Sequence, residues 1–76
     1  MQLIKNYSYT DLCEMLIGKK VQFKSDCEFF PNFNVTGKVI SISPSQNHNE
    51  LLIKILRNNK KYDIGSNMKN LSFNIK

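Results

Sequence analysis

Apolar and polar residues alternate most regularly between Glu50 and Ile64, in the stretch ELLIKILRNNKKYDI. Two alternating runs flanking a pair of turn residues predict a β-hairpin. Asn58-Asn59 supplies the turn, because a two-residue hairpin loop takes positive φ at both central positions and Asn tolerates this better than any residue except Gly. The turn sets the register. Arg57 faces Lys60, Leu56 faces Lys61, Ile55 faces Tyr62, Lys54 faces Asp63 and Ile53 faces Ile64. Side chains alternate between the faces of a strand, so Leu51, Ile53, Ile55, Tyr62 and Ile64 share one face, while Glu50, Lys54, Lys61 and Asp63 share the other. Leu52 and Leu56 fall on the charged face, which predicts partial cover there.

The rest of the chain reads around this hairpin. Residues 1–7 carry the apolar pair Leu3-Ile4 and predict a short edge strand or an arm laid over the sheet. Residues 8–17 predict a helix. Ser8 and Asp11 make a capping box with Asp in place of Glu, Asp11 and Glu14 suit the positive end of the helix dipole, and Gly18 is a natural stop. The stripe of Tyr9, Leu12, Cys13 and Leu16 reads as cover for an open end of the sheet in preference to a docking face for a partner helix. Residues 19–25 predict a strand with Val21 and Phe23 on one side. A second strand spans 35–44, with Gly37 marking a bulge or bend and Pro44 its end. The last spans 71–76, with Leu71, Phe73 and Ile75 inward. Residues 43–49 read as a polar loop with a solvated His48, and Gly65 to Asn70 as a turn or one turn of 3₁₀ helix.

The segment Asp26 to Asn34, DCEFFPNFN, breaks the pattern. Pro31 and the Asn residues argue for a loop, yet each of Phe29, Phe30 and Phe33 can bury roughly 150–250 Å². At least one ring is expected to turn inward. Any that remain outside would form, with Glu28, a protein-binding surface.

Composition narrows the class. A chain of 76 residues makes a single domain, 1–76, and one of this size buries only about 60% of its unfolded surface. Its 41% apolar and 22% charged residues are a globular balance. No apolar run is long enough for a signal peptide or a membrane span, so a cytosolic protein with no membrane partner is expected. Cys13 and Cys27 are then expected as free thiols. Two cysteines and one histidine are too few for a four-ligand zinc site, and no metal or cofactor is expected. The net charge of +5 is uneven: residues 1–30 carry 4 basic and 4 acidic side chains, and residues 31–76 carry 7 and 2. Such asymmetry points either to an anionic partner or to a solvated basic surface.

The element order is helix, strand, long loop, strand, short loop, strand, tight hairpin, strand, helical turn, strand. In layout this resembles the SH3-like small barrel, carried by GKKVQFK, VTGKVISI, ELLIKILRNNKKYDI and GSNMKNLSFNI, which together span Gly18 to Ile75. The resemblance implies a mainly β fold with one short N-terminal helix packed on a five-stranded barrel. The GKxV…GKV phrasing is also similar to small barrels of ribosomal and transcription proteins, and to short proteins of phages and mobile elements of low-GC bacteria. The chain departs from peptide-binding SH3 domains, which hold proline-rich segments in an aromatic groove. It has no Trp, and only Asp26 and Glu28 resemble the acidic rim.

The functional expectation is a binding module. No Gly-rich phosphate loop and no Ser-His-Asp or Cys-His constellation is present, so catalysis is not expected. In one version Lys54, Arg57, Lys60, Lys61 and Lys69 meet the phosphates of DNA, RNA or a nucleoprotein, with Tyr62, or an exposed phenylalanine of the 29–33 loop, stacking on a base. In the other, implied by the resemblance to phage and mobile-element proteins, the chain inhibits a host or defence enzyme in the anti-CRISPR or anti-restriction manner, using Phe29, Phe30, Phe33 and Glu28 together with the helix face, Leu52 and Leu56. Self-association into a homodimer through an unpaired strand edge is a further option.

Overall fold

A computed structural model describes residues 1–30, 32–46 and 49–76 of the chain. The elements in order are β1 (Gln2–Leu3), a 3₁₀ turn (Ile4–Asn6), α1 (Tyr9–Leu16), β2 (Lys20–Ser25), β3 (Phe33–Pro44), β4 (Leu51–Arg57), β5 (Lys60–Gly65) and β6 (Ser72–Ile75). All strands join one antiparallel sheet of 6 strands in the order β1-β6-β2-β3-β4-β5. The mainly β class is as expected, and the closure of five strands into a barrel is not shown. Each of the strands read from the sequence forms, β1 is added at one edge, and among the described residues no ladder joins β1 to β5. The sheet is open where a closed five-stranded barrel was expected. The readings placed on Pro31 and His48 lie outside the described residues.

The β4–β5 hairpin has the register that the turn dictates, from Arg57↔Lys60 through Ile53↔Ile64. Asn58 and Asn59 have φ of 53° and 63°, the left-handed pair that a two-residue hairpin turn requires. Ile53, Ile55 and Ile64 on the inner face are buried. They meet Val21 and Phe23 of β2, Val39 and Ile42 of β3, Leu71 and Phe73 in one core. Helix α1 adds Leu12 and Leu16, both fully buried, so its apolar stripe is core. Its start is capped as the sequence indicates, with the Asp11 N–H donating to Ser8 Oγ at 3.2 Å. Gly18 at φ +85° ends it. The N-terminal residues prove to be both strand and arm: β1 pairs with β6, and Ile4, whose N–H donates to Leu71 O at 2.9 Å, is buried.

Strand β3 is the long member and changes partners. Its first half, Phe33 to Lys38, pairs with β2, and its second half, Lys38 to Pro44, pairs with β4. The register shifts between Val39 and Ser41, so the bulge falls at Ile40 and not at the expected Gly37. Gly37 answers a different demand. A Cβ there would stand 2.9 Å from the Leu56 carbonyl oxygen and 3.2 Å from Ile55 Cδ1. Only a residue without a side chain lets β4 come this close. Phe33, expected in the loop, opens β3 opposite Ser25 and packs against the core. Ile75, expected inward, is 43% exposed, because it ends β6 at the rim of the sheet.

Two substitutions test these constraints by urea denaturation. Gly37→Ala is expected to destabilise the fold by roughly 1–3 kcal/mol, since the contact is with backbone that cannot rotate away. Asn59→Ala is expected to cost about 1–2 kcal/mol for a forced left-handed conformation, while Asn59→Gly retains full stability.

Candidate nucleic-acid interface

The register that buries one face of the sheet sets a line of lysines on the other. Lys20 of β2 stands directly opposite Lys38 of β3. Lys38 stands opposite Leu56 of β4, and Leu56 opposite Lys61 of β5. On the far side the Lys76 N–H donates to Lys20 O at 2.8 Å, continuing the ladder in which Val21 faces Ile75. Lys76, Lys20, Lys38, Leu56 and Lys61 therefore form one cross-strand row on the outer face. All are exposed. The next row is Asn74, Gln22 and Thr36, and beyond it Ser72, Lys24 and Asn34. The outer face of β6, β2 and β3 carries no carboxylate. On the hairpin the nearest is Asp63, which stands opposite Lys54 at 4.0 Å. That is the only ion pair within 4.0 Å among the described residues, so the row has no such internal counter-charge.

This arrangement redistributes the residues expected to bind nucleic acid. Lys61 belongs to the row. Arg57 joins Lys20, Lys38, Leu56 and Asn58 around an open concavity of about 860 Å³. Lys60 is exposed across the turn from Arg57. Lys54 is neutralised by Asp63, an exposed pair worth at most about 1 kcal/mol. Lys69 is elsewhere: its carbonyl accepts from the Asp26 N–H at 3.0 Å and from Ser25 Oγ at 2.8 Å. It therefore adjoins the far end of β2 from Lys20, about 17 Å away at ~3.3 Å per residue. Tyr62 is 47% exposed, but it lies on the inner face, where it lines a groove of about 210 Å³ with Phe33, Val35, Ile55, Arg57 and Asp63. Lys20, Lys38 and Lys76 were missed. Lys20 comes from a half of the chain whose charges sum to zero, and only strand pairing brings it to Lys38.

The aromatic loop divides, with at least one ring inward as expected. Phe33 packs inward, while Phe29 is 85% and Phe30 61% exposed. Glu28 and Asp26 line a second concavity with Lys24, Cys27 and Phe33. Asp26 Oδ2 accepts from Asn70 Nδ2 at 3.2 Å, which ties the loop to the turn before β6. This aromatic and acidic end is the Ser25 end of β2, opposite in the strand to the lysine row.

Little else offers chemistry. Among the described residues no group of three or more His, Cys, Asp and Glu converges to hold a metal ion. Cys13 and Cys27 are free thiols. The Tyr9 phenol is held above its ordinary 10.0 by its neighbour Cys13, with desolvation adding to the effect. It thus stays protonated at neutral pH and donates to Ile42 O at 3.0 Å. Among the described residues no helix is long and apolar enough to cross a membrane. No protein-family model, curated protein or solved structure matches the chain.

Like charges directly opposite in a sheet are destabilising. Lys38→Glu should therefore stabilise the protein by roughly 0.2–1 kcal/mol, by converting a repulsive pair into an attractive one. Thermal melts should also show added salt raising the wild-type midpoint more than that of the variant, since salt screens the repulsion that the variant lacks.

Proposed function

We propose that this chain is a non-catalytic binding module that contacts nucleic acid through the lysine row of its outer sheet face and the adjoining hairpin tip. The observation that carries the reading is the carboxylate-free surface on which Lys20 and Lys38 are direct neighbours. A protein bears a repulsive pair of this kind at a cost in stability, and an anionic polymer relieves it. Phosphates supply that charge, and the released counterions drive association. The strand order β6-β2-β3-β4-β5, with its long first connection and tight hairpin, supports an SH3-like small barrel left open as the scaffold. Small barrels host many partners, so the scaffold itself does not choose among them.

A second reading rests on the exposed Phe29 and Phe30. Large exposed rings beside carboxylates are the raw material of a protein-binding hot spot. On that reading the loop captures a host or defence protein, and the lysines only keep the module soluble.

Anisotropy titrations with labelled mixed-sequence DNA and RNA separate the two. Wild-type protein is expected to bind with an affinity that falls steeply with salt. Lys20→Glu combined with Lys38→Glu should abolish binding, while Lys69→Glu, remote from the row, should change it by no more than about twofold. Retained affinity in the double variant, or a flat salt response, would remove the nucleic-acid reading. Phe29→Ala with Phe30→Ala should leave nucleic-acid binding intact, since neither ring adjoins the row.

A further inference from the structure

We infer that the bound nucleic acid is double-stranded and is held irrespective of its sequence, with the lysine row lying along the phosphates of a duplex. This rests on the nucleic-acid reading above. Adjacent strands are about 4.8 Å apart, so five positions in a cross-strand row span roughly 19 Å. Double-stranded DNA offers one charge per ~1.7 Å of axis over that length, so each lysine has a phosphate within reach without competition from its neighbour.

The chemistry around the row selects a duplex over a single strand. Single-strand binders place aromatic rings among their cations, so that bases stack while phosphates are neutralised. Here the row itself carries no ring: the position between Lys38 and Lys61 is Leu56. Among the described residues the one cation that shares a groove with Tyr62 and Phe33 is Arg57 on the inner face. Tyr62 lies on the inner face, and Phe29 and Phe30 follow the opposite end of β2. The neighbouring row, Asn74, Gln22 and Thr36, supplies neutral hydrogen-bonding groups suited to phosphate and sugar oxygens. Arg57 is the chain's one arginine. Bidentate reading of guanine edges is therefore limited to a single residue, and the contact has little means to tell one sequence from another.

The test is anisotropy on a short DNA duplex, the RNA duplex of the same sequence, each single strand alone and a scrambled DNA duplex. Duplexes should bind at least about tenfold tighter than single strands, with a slope of log affinity against log salt of about −3.6, or about 0.9 for each of the four lysines. Leu56→Lys, which fills the gap in the row, should steepen the duplex slope by about 0.9, while Ser43→Lys, the same charge away from the row, should leave it unchanged. Equal affinity for both duplexes assigns the contact to phosphates alone, and preference for one identifies which helix form the row fits. Single strands binding as tightly as duplexes would overturn the duplex assignment and leave the nucleic-acid reading standing. Discrimination above about tenfold between the native and scrambled duplexes would overturn sequence independence. Absence of binding to every probe would overturn both.

Discussion

The β-ladder register, pinned at the Asn58-Asn59 turn, is the constraint on which the rest of the molecule depends. Because side chains alternate along a strand, a shift of one residue would exchange the buried and exposed faces of the whole hairpin. The turn allows one alignment, with Ile53 on Ile64 and Ile55 beside Tyr62. That alignment commits Ile53, Ile55 and Ile64 to the core. It also commits Leu56 to face Lys38 on one side and Lys61 on the other. The apolar interior and the cationic exterior are thus two consequences of one register. Neither can be changed by sliding a strand without losing the other.

The hairpin and the helix were legible because their determinants are local. Asn58 and Asn59 lie next to each other, and Ser8, Asp11 and Gly18 cap a single element. That at least one ring of the aromatic loop turns inward was legible, but not which one, since β3 begins at Phe33, two residues earlier than the sequence indicates. What was not legible depends on contacts between distant segments. Gly37 looked like a bulge because glycine usually marks one in a strand. Its need for space comes from Leu56 and Ile55, nearly twenty residues on, and the bulge itself fell at Ile40, whose side chain carries no such signal. Open or closed was likewise undetermined, because closure depends on whether edge strands meet. The lysine row escaped for the same reason. A sum of charge along the chain sets Lys20 against Asp26 and Glu28, yet β2 separates them end to end, and the sheet brings Lys20 to Lys38 instead.

A small fold gives the row its significance. At 76 residues the buried core leaves little surplus stability, since domains of this size are marginal. Under that limit a repulsive lysine pair is a real fraction of the whole. Nor is it forced by the packing. The positions are exposed, and Glu or Gln at Lys38 would satisfy the same alternation. Uncompensated charge at a place where compensation is simple is better understood as a feature of the surface's use than of its folding.

The opposite end of β2 bears on how such a surface meets its partner. Asp26 and Glu28 stand beyond Ser25, while Lys20, Lys38 and Arg57 gather at the other end. The separation gives the molecule a polarity that neutralisation along the chain would conceal. On the proposed reading a polyanion is drawn to the cationic end, while at the other end Lys24 and Lys69 offset Asp26 and Glu28, so the field turns the row toward the polymer before contact and raises the rate of productive encounter. On that reading Phe29 and Phe30, which follow the Ser25 end of β2, stand clear of the row that would meet phosphates, so the charged surface and the exposed aromatic area do not compete.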